Sequence, residues 1–203
     1  VRKVIKQGNM STLNCYEEVL LAEKLINIHP WADMVRFART GGEANAISIR
    51  IARATKKRDK IAICGYHGWH DWYLSANLSK KENLKDHLLP GLQPKGVPKK
   101  LRNTVFTFSY NNYDELLKLV NKKNIGIIKM EVSRNFYPKN NFLSKVRKLA
   151  DKKKIILIFD ECTSGFRESF GGLQKKINIK PDILILGKAL SGGILPISAV
   201  LSS

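Results

Sequence analysis

Cysteine is scarce in this chain of 203 residues. Cys15, Cys64 and Cys162 form no CxxC pair, and their number is odd. That argues against a disulfide framework or a cysteine zinc site and predicts a reducing, cytoplasmic setting. Long apolar runs are also missing. The longest, such as Ile155 to Phe159, are strand-sized, far below the roughly 20 residues of a membrane span, so no membrane partner is expected. The basic start, Val1-Arg2-Lys3-Val4-Ile5-Lys6, lacks the apolar segment a signal peptide would need. Acidic residues are few, 17 against 36 Lys and Arg, for a net charge of +19. Lys outnumbers Arg 26 to 10 and is scattered, with short groups at Lys56-Lys57-Arg58, Lys122-Lys123 and Lys152-Lys153-Lys154. Each group falls near the end of a predicted helix, where cations complement the helix dipole. The charge therefore reads as a solvated surface that attracts small anions, and no nucleic-acid partner is expected. A first residue other than Met and an abrupt end at Leu201-Ser202-Ser203 predict a piece of a longer chain.

What is present alternates between helix and strand. The hydrophobic content, 43%, is that of a chain with a packed core. Helices are predicted over Tyr16 to Ile28 (with Val19, Leu20, Leu21, Leu25 and Ile26 at helical spacing), Glu43 to Lys57 (inner face Ile47, Ile51 and Ala54), Tyr113 to Lys123 and Phe142 to Lys154. Strands are predicted over Met34 to Ala38, Lys60 to Gly65, Thr104 to Phe108, Ile125 to Val132, Ile155 to Asp160, Asp182 to Leu186 and Ile197 to Leu201. Leu78 to Arg102, rich in Lys, Pro and Gly, reads as a long loop with little to bury, a candidate lid. The alternation predicts an α/β domain with a mainly parallel sheet, and continuously apolar strands predict helices on both of its faces. Ligands of such sheets collect at the carboxyl ends of the strands.

Four strand ends carry chemistry. Thr40-Gly41-Gly42-Glu43 opens a helix, and its free N–H groups suit a phosphate; a plain capped turn is the alternative. Tyr66-His67-Gly68-Trp69-His70 offers a ring to stack on a planar cofactor, or else aromatic core packing. The His67 and His70 pair has no Cys or carboxylate cluster beside it, so no metal is expected. Asp160 follows a buried apolar strand, where an unpaired carboxylate is costly; it would suit a protonated ring nitrogen, or else cap a turn. Lys188, between an apolar strand and glycines and on no evident solvated face, suits a Schiff-base nucleophile, or else is a surface lysine in a turn. Together these are the components of a pyridoxal 5'-phosphate site.

The segments Met34 to Ala54, Ala62 to Tyr73, Ile158 to Arg167 and Gly187-Lys188-Ala189-Leu190-Ser191-Gly192-Gly193 resemble the class III pyridoxal-phosphate aminotransferases. Within that class they most resemble the glutamate-1-semialdehyde 2,1-aminomutase branch. The resemblance runs through nearly the whole chain. It implies an aspartate-aminotransferase-like (fold-type I) large domain over residues 1–203, partial, with a seven-stranded mainly parallel sheet, an N-terminal segment and C-terminal domain missing, and a homodimer. It implies Lys188 as the Schiff-base lysine and general acid and base, and Asp160 on the pyridine nitrogen. It further implies Tyr66 on the ring with His67 beside it, Thr40, Gly41 and Gly42 at the phosphate, Glu131 as the strand-end Glu and Cys162 beneath the ring. Three departures are expected to matter. Thr40-Gly41-Gly42 lacks one family hydroxyl, Cys162 is smaller than the usual residue, and Glu131-Val132 in place of Glu-Pro should loosen its turn. The implied activity is amino-group transfer on an amino acid or amino-aldehyde, by a transaminase or aminomutase. The alternatives are an ω-aminotransferase using an external keto acid and a catalytically silent binding domain; the fragment alone is expected to be inactive.

Overall fold

The computed structural model describes residues 2–7, 15–79, 83–85, 87, 93–133 and 135–203. Its helices are α1 (Arg2–Gln7), α2 (Tyr16–Ile28), α3 (Gly41–Lys56), α4 (Asp71–Leu74), α5 (Tyr113–Lys123), α6 (Phe142–Lys153) and α7 (Leu173–Lys176). Its strands are β1 (Met34–Ala38), β2 (Ile61–Cys64), β3 (Val105–Thr107), β4 (Ile127–Glu131), β5 (Ile156–Glu161), β6 (Ile183–Leu186) and β7 (Ser198–Ser202). The seven strands form one sheet in the order β1-β7-β6-β5-β4-β2-β3. The contacts from β3 to β6 are parallel, whereas β7 runs antiparallel to both β6 and β1. β1 therefore points the same way as the parallel strands, and six carboxyl ends share one edge.

Alternation along each strand builds two cores. On β5, Leu157 and Phe159 join the cluster that holds Leu116, Val120, Phe142, Val146 and Leu149 of α5 and α6. Ile156 and Ile158 join the opposite cluster, with Ala44, Ile49 and Ala52 of α3 and with Trp72 and Tyr73. Each fully buried Leu or Ile side chain stabilises such a layer by about 1.5–3 kcal/mol.

Two predicted helix faces are corrected. In α3 the buried residues are Ala44, Asn45, Ser48, Ile49 and Ala52, whereas Ile51 and Ala54 are exposed and Ile47 is half-buried. Small residues on the inner face let this helix lie close over β5, β6 and β7, an approach that a row of isoleucines would block. In α2 only Leu25 and Ile28 are buried, and Val19 and Leu20 are largely exposed.

The predicted lid falls in part on residues 80–82, 86 and 88–92, outside the described residues. Its described part is anchored, contrary to the expectation that it has little to bury. Leu84 is fully buried, Val97 nearly so, and Leu84 N–H donates to Asn77 Oδ1 at 3.0 Å.

Candidate active site

The shared edge gathers the strand-end residues. Glu131 and Asp160 are register partners on β4 and β5. Tyr66 N–H donates to Glu131 Oε2 at 2.9 Å. Val132 is buried and its carbonyl accepts from Tyr110 O–H, so the turn after Glu131 is held rather than loosened.

Asp160 is almost fully buried. Its Oδ1 accepts from Cys162 N–H at 3.0 Å, and its Oδ2 lies 2.8 Å from His67 Nδ1. Burial alone would raise its pKa, but the His67 hydrogen bond, the charge of Lys129 and the Cys162 N–H hold it well below the carboxylate range. Asp160 is therefore an ionised carboxylate in the dry interior. His67 stands behind it, fully buried, with Nε2 3.2 Å from the Cys64 carbonyl oxygen. Burial first, and the charge of Lys129 as well, push this imidazole toward its neutral form.

Thr40 closes a capping box. Its Oγ1 accepts from Glu43 N–H at 3.2 Å, and Glu43 Oε2 accepts from Thr40 N–H at 3.1 Å and Arg39 N–H at 2.9 Å. The Thr40 hydroxyl thus already holds the helix start. Gly41 N–H and Gly42 N–H have no protein acceptor among the described residues. A Cβ on Gly42 would lie 3.0 Å from His70 Nε2, and one on Gly68 would lie 3.1 Å from Gly42 Cα. The His70 imidazole thus occupies the space that a side chain at position 42 would need.

Cys162 joins the two ends of the site. Its Sγ sits 3.1 Å from where a Cβ on Gly41, and equally one on Gly187, would be. Lys188 follows Gly187 with φ 45°, and its Nζ donates to Thr163 Oγ1 at 2.8 Å. Its side chain is exposed, which corrects the expectation that it lies on no solvated face. Tyr66 is half-buried and meets Tyr73 edge-on, while Trp72 and Tyr73 are core residues.

Thus Gly41, Gly42, Tyr66, His67, Glu131, Asp160, Cys162 and Lys188 all lie at one sheet edge, with Thr40 beside them. Sequence reasoning missed four contributors. Thr163 receives Lys188, and Ser198 Oγ donates to the Thr40 carbonyl at 2.7 Å, tying β7 to the glycine turn. His87 Nδ1 accepts from Gly65 N–H at 3.1 Å, and Lys129 lies buried near Asp160. Only Lys129, a cation inside an apolar strand, carried a signal in the sequence. Glu161, next to Asp160, points to the other face. Its carboxylate accepts from Ser164 O–H and from the N–H groups of Leu173 and Gln174, a purely structural role.

The family described as Aminotransferase class-III matches residues 2–203. The 3-aminobutyryl-CoA aminotransferase of Cloacimonas acidaminovorans is 33% identical over 201 residues, 95% of this chain and 44% of that protein. The glutamate-1-semialdehyde 2,1-aminomutase of Nitrosopumilus maritimus is 39% identical over 210 residues, 98% of this chain and 48% of that protein. An omega-transaminase from Sphaerobacter thermophilus superposes with a TM-score of 0.83 at 28% identity, covering 100% of this chain and 48% of its own. The chain spans about half the length of the curated relatives it matches.

Proposed function

This chain belongs to the class-III aminotransferases, and from that premise we propose that its parent protein transfers amino groups with pyridoxal phosphate as cofactor. The observation that carries this reading is Asp160. It is a buried, ionised carboxylate braced by His67 and Cys162 N–H, at the same sheet edge as two acceptor-free N–H groups and a lysine. A carboxylate so placed fits a protonated ring nitrogen, and the helix start fits a phosphate.

Bound there, pyridoxal phosphate supplies an aldehyde carbon that captures amines and a ring that withdraws electrons from the substrate Cα–H bond. Gly41 N–H and Gly42 N–H would hold its phosphate. Asp160 would keep the proton on its ring nitrogen, with His67 fixing the carboxylate from behind. Tyr66 and Cys162 would line the place for its ring. Lys188 would anchor the group through its amine and would move the proton at the substrate Cα as general base and acid. Thr163 Oγ1 parks Lys188 Nζ at the strand edge. Glu131 orients Tyr66 through its backbone N–H.

The substrate class is an amino acid or amino-aldehyde, handled by a homodimer. The three unpaired cysteines support a cytoplasmic setting. Among the described residues no helix is long and apolar enough to cross a membrane.

The full-length protein mixed with pyridoxal phosphate should turn yellow and, after borohydride, keep the label on the peptide containing Lys188. Lys188→Ala should abolish the label, and undiminished labelling of that variant would overturn the assignment. Dependence of turnover on an added keto acid separates a transaminase from an aminomutase, which needs no second substrate.

A further inference from the structure

Lys129 has no part in the scheme above, yet it is 0% exposed at the middle of the sheet. β4 places it on the face of Glu131, opposite Ile158. Its Nζ donates to Ser48 Oγ at 3.3 Å and lies 5.9 Å from the centre of the Trp72 ring. The Ser48 hydroxyl itself donates to the Asn45 carbonyl. Among the described residues, no carboxylate oxygen comes within ion-pairing distance of Nζ. A buried ammonium with one neutral hydrogen bond is costly. Burial lowers its pKa to about 8, against the pull of Asp160, Cys162 and Glu131, the titratable groups that face it.

His67 offers a second seat for the same charge. Nδ1 faces the Asp160 carboxylate at 2.8 Å and Nε2 faces a carbonyl oxygen at 3.2 Å. Both partners are acceptors, so the ring has room for two protons. The titratable groups that face it are Asp160 and Lys129. One buried carboxylate is thus flanked by two buried bases. Cations on both would repel each other in a medium that screens weakly.

We propose that Lys129 is a positioning residue that acts through Asp160. Lys129 and His67 share a single positive charge beside that carboxylate, and which of them holds it sets how much negative charge Asp160 presents to the cofactor's ring nitrogen. Only this last clause rests on the pyridoxal-phosphate reading. When Lys129 holds the charge, His67 stays neutral and Asp160 keeps most of its charge for the ring. When Lys129 is uncharged, His67 becomes the cation and neutralises Asp160 at contact distance.

The test uses the full-length protein with ring-15N histidine, first without pyridoxal phosphate. The His67 signal is identified by its loss in His67→Gln. In Lys129→Met, apolar and of similar length, the His67 midpoint should rise by about one pH unit, a tenfold gain in proton affinity. In Lys129→Arg, which keeps the charge, it should stay at or below the wild-type value. An unchanged midpoint in Lys129→Met would overturn the proposal. If neither variant folds, the wild type decides. His67 15N and Lys129 13Cε signals that move together over one pH interval support a shared charge, and independent titrations overturn it. With 15N-labelled pyridoxal phosphate bound, the ring-nitrogen signal of Lys129→Met should shift toward the unprotonated pyridine; no shift would overturn the last clause. A wild-type protein that takes up no pyridoxal phosphate would count against the proposed function and leave the His67 result readable.

Discussion

Gly65 and Glu131 compete for one small volume at the carboxyl end of β2. A Cβ on Gly65 would stand 2.5 Å from Glu131 Oε2, and the glycine has φ 108°. The carboxylate reaches Tyr66 N–H because position 65 has no side chain. The aromatic ring proposed to lie on the cofactor is thus placed by a glycine just after β2 and a glutamate at the end of the neighbouring β4.

Gly65→Ala should therefore disturb the site as well as the fold. Both the positive φ and the contact with Glu131 oppose a methyl group there. A destabilisation of about 1–3 kcal/mol is expected in urea unfolding. Pyridoxal-phosphate affinity, measured on the folded fraction, should fall as well. Normal stability and affinity would mean that Glu131 moves aside freely.

Asp160 and Glu161 are adjacent carboxylates with opposite duties, and their amides should separate them. Asp160→Asn should lower turnover by several orders of magnitude, with a smaller loss of cofactor affinity. Glu161→Gln should weaken the fold by about 1–3 kcal/mol, since its carboxylate serves three buried donors. The cofactor spectrum of Glu161→Gln should stay unchanged. Equal effects on turnover would show that both act at the site.

The acid limb of stability should also carry Asp160. Its pKa is held below the ordinary 3.8 in the folded chain. Its ionised form therefore stabilises the fold fully above that ordinary value, and the stabilisation is lost as pH falls toward the folded value. The stability difference between wild type and Asp160→Asn should shrink below about pH 4. A constant difference down to pH 2 would contradict an ionised, braced carboxylate.

Thr40→Ala tests whether that hydroxyl serves the helix or the phosphate. The capping box predicts a loss of about 1 kcal/mol in stability. Cofactor affinity should change little, because the proposed phosphate donors are the Gly41 and Gly42 N–H groups. A large fall in affinity at unchanged stability would assign the hydroxyl to the phosphate.

Much of this was legible from local chemistry. The period of Leu116, Leu117 and Val120 set α5 at Tyr113–Lys123, and the unbroken run Ile155 to Phe159 marked a strand covered on both faces. Thr40-Gly41-Gly42-Glu43 read as the opening of a helix predicted from Glu43; the structure starts α3 two residues earlier, at Gly41, because Thr40 caps it. Glycines, lysine and aspartate at successive strand ends pointed to one sheet edge. The tertiary structure decided what depends on neighbours distant in sequence. The reversal of β7 and the strand order follow from packing, because a strand's own alternation reads the same in either direction. The face of α3 went to small residues because the sheet lies so close. The division of labour between Asp160 and Glu161 depends on which side of the sheet carries His67 and which carries the start of α7. The meaning of Lys129 depends on the same thing: a lysine in a strand is ordinary at an edge, and becomes a buried charge only when β2, β5 and α3 close around it.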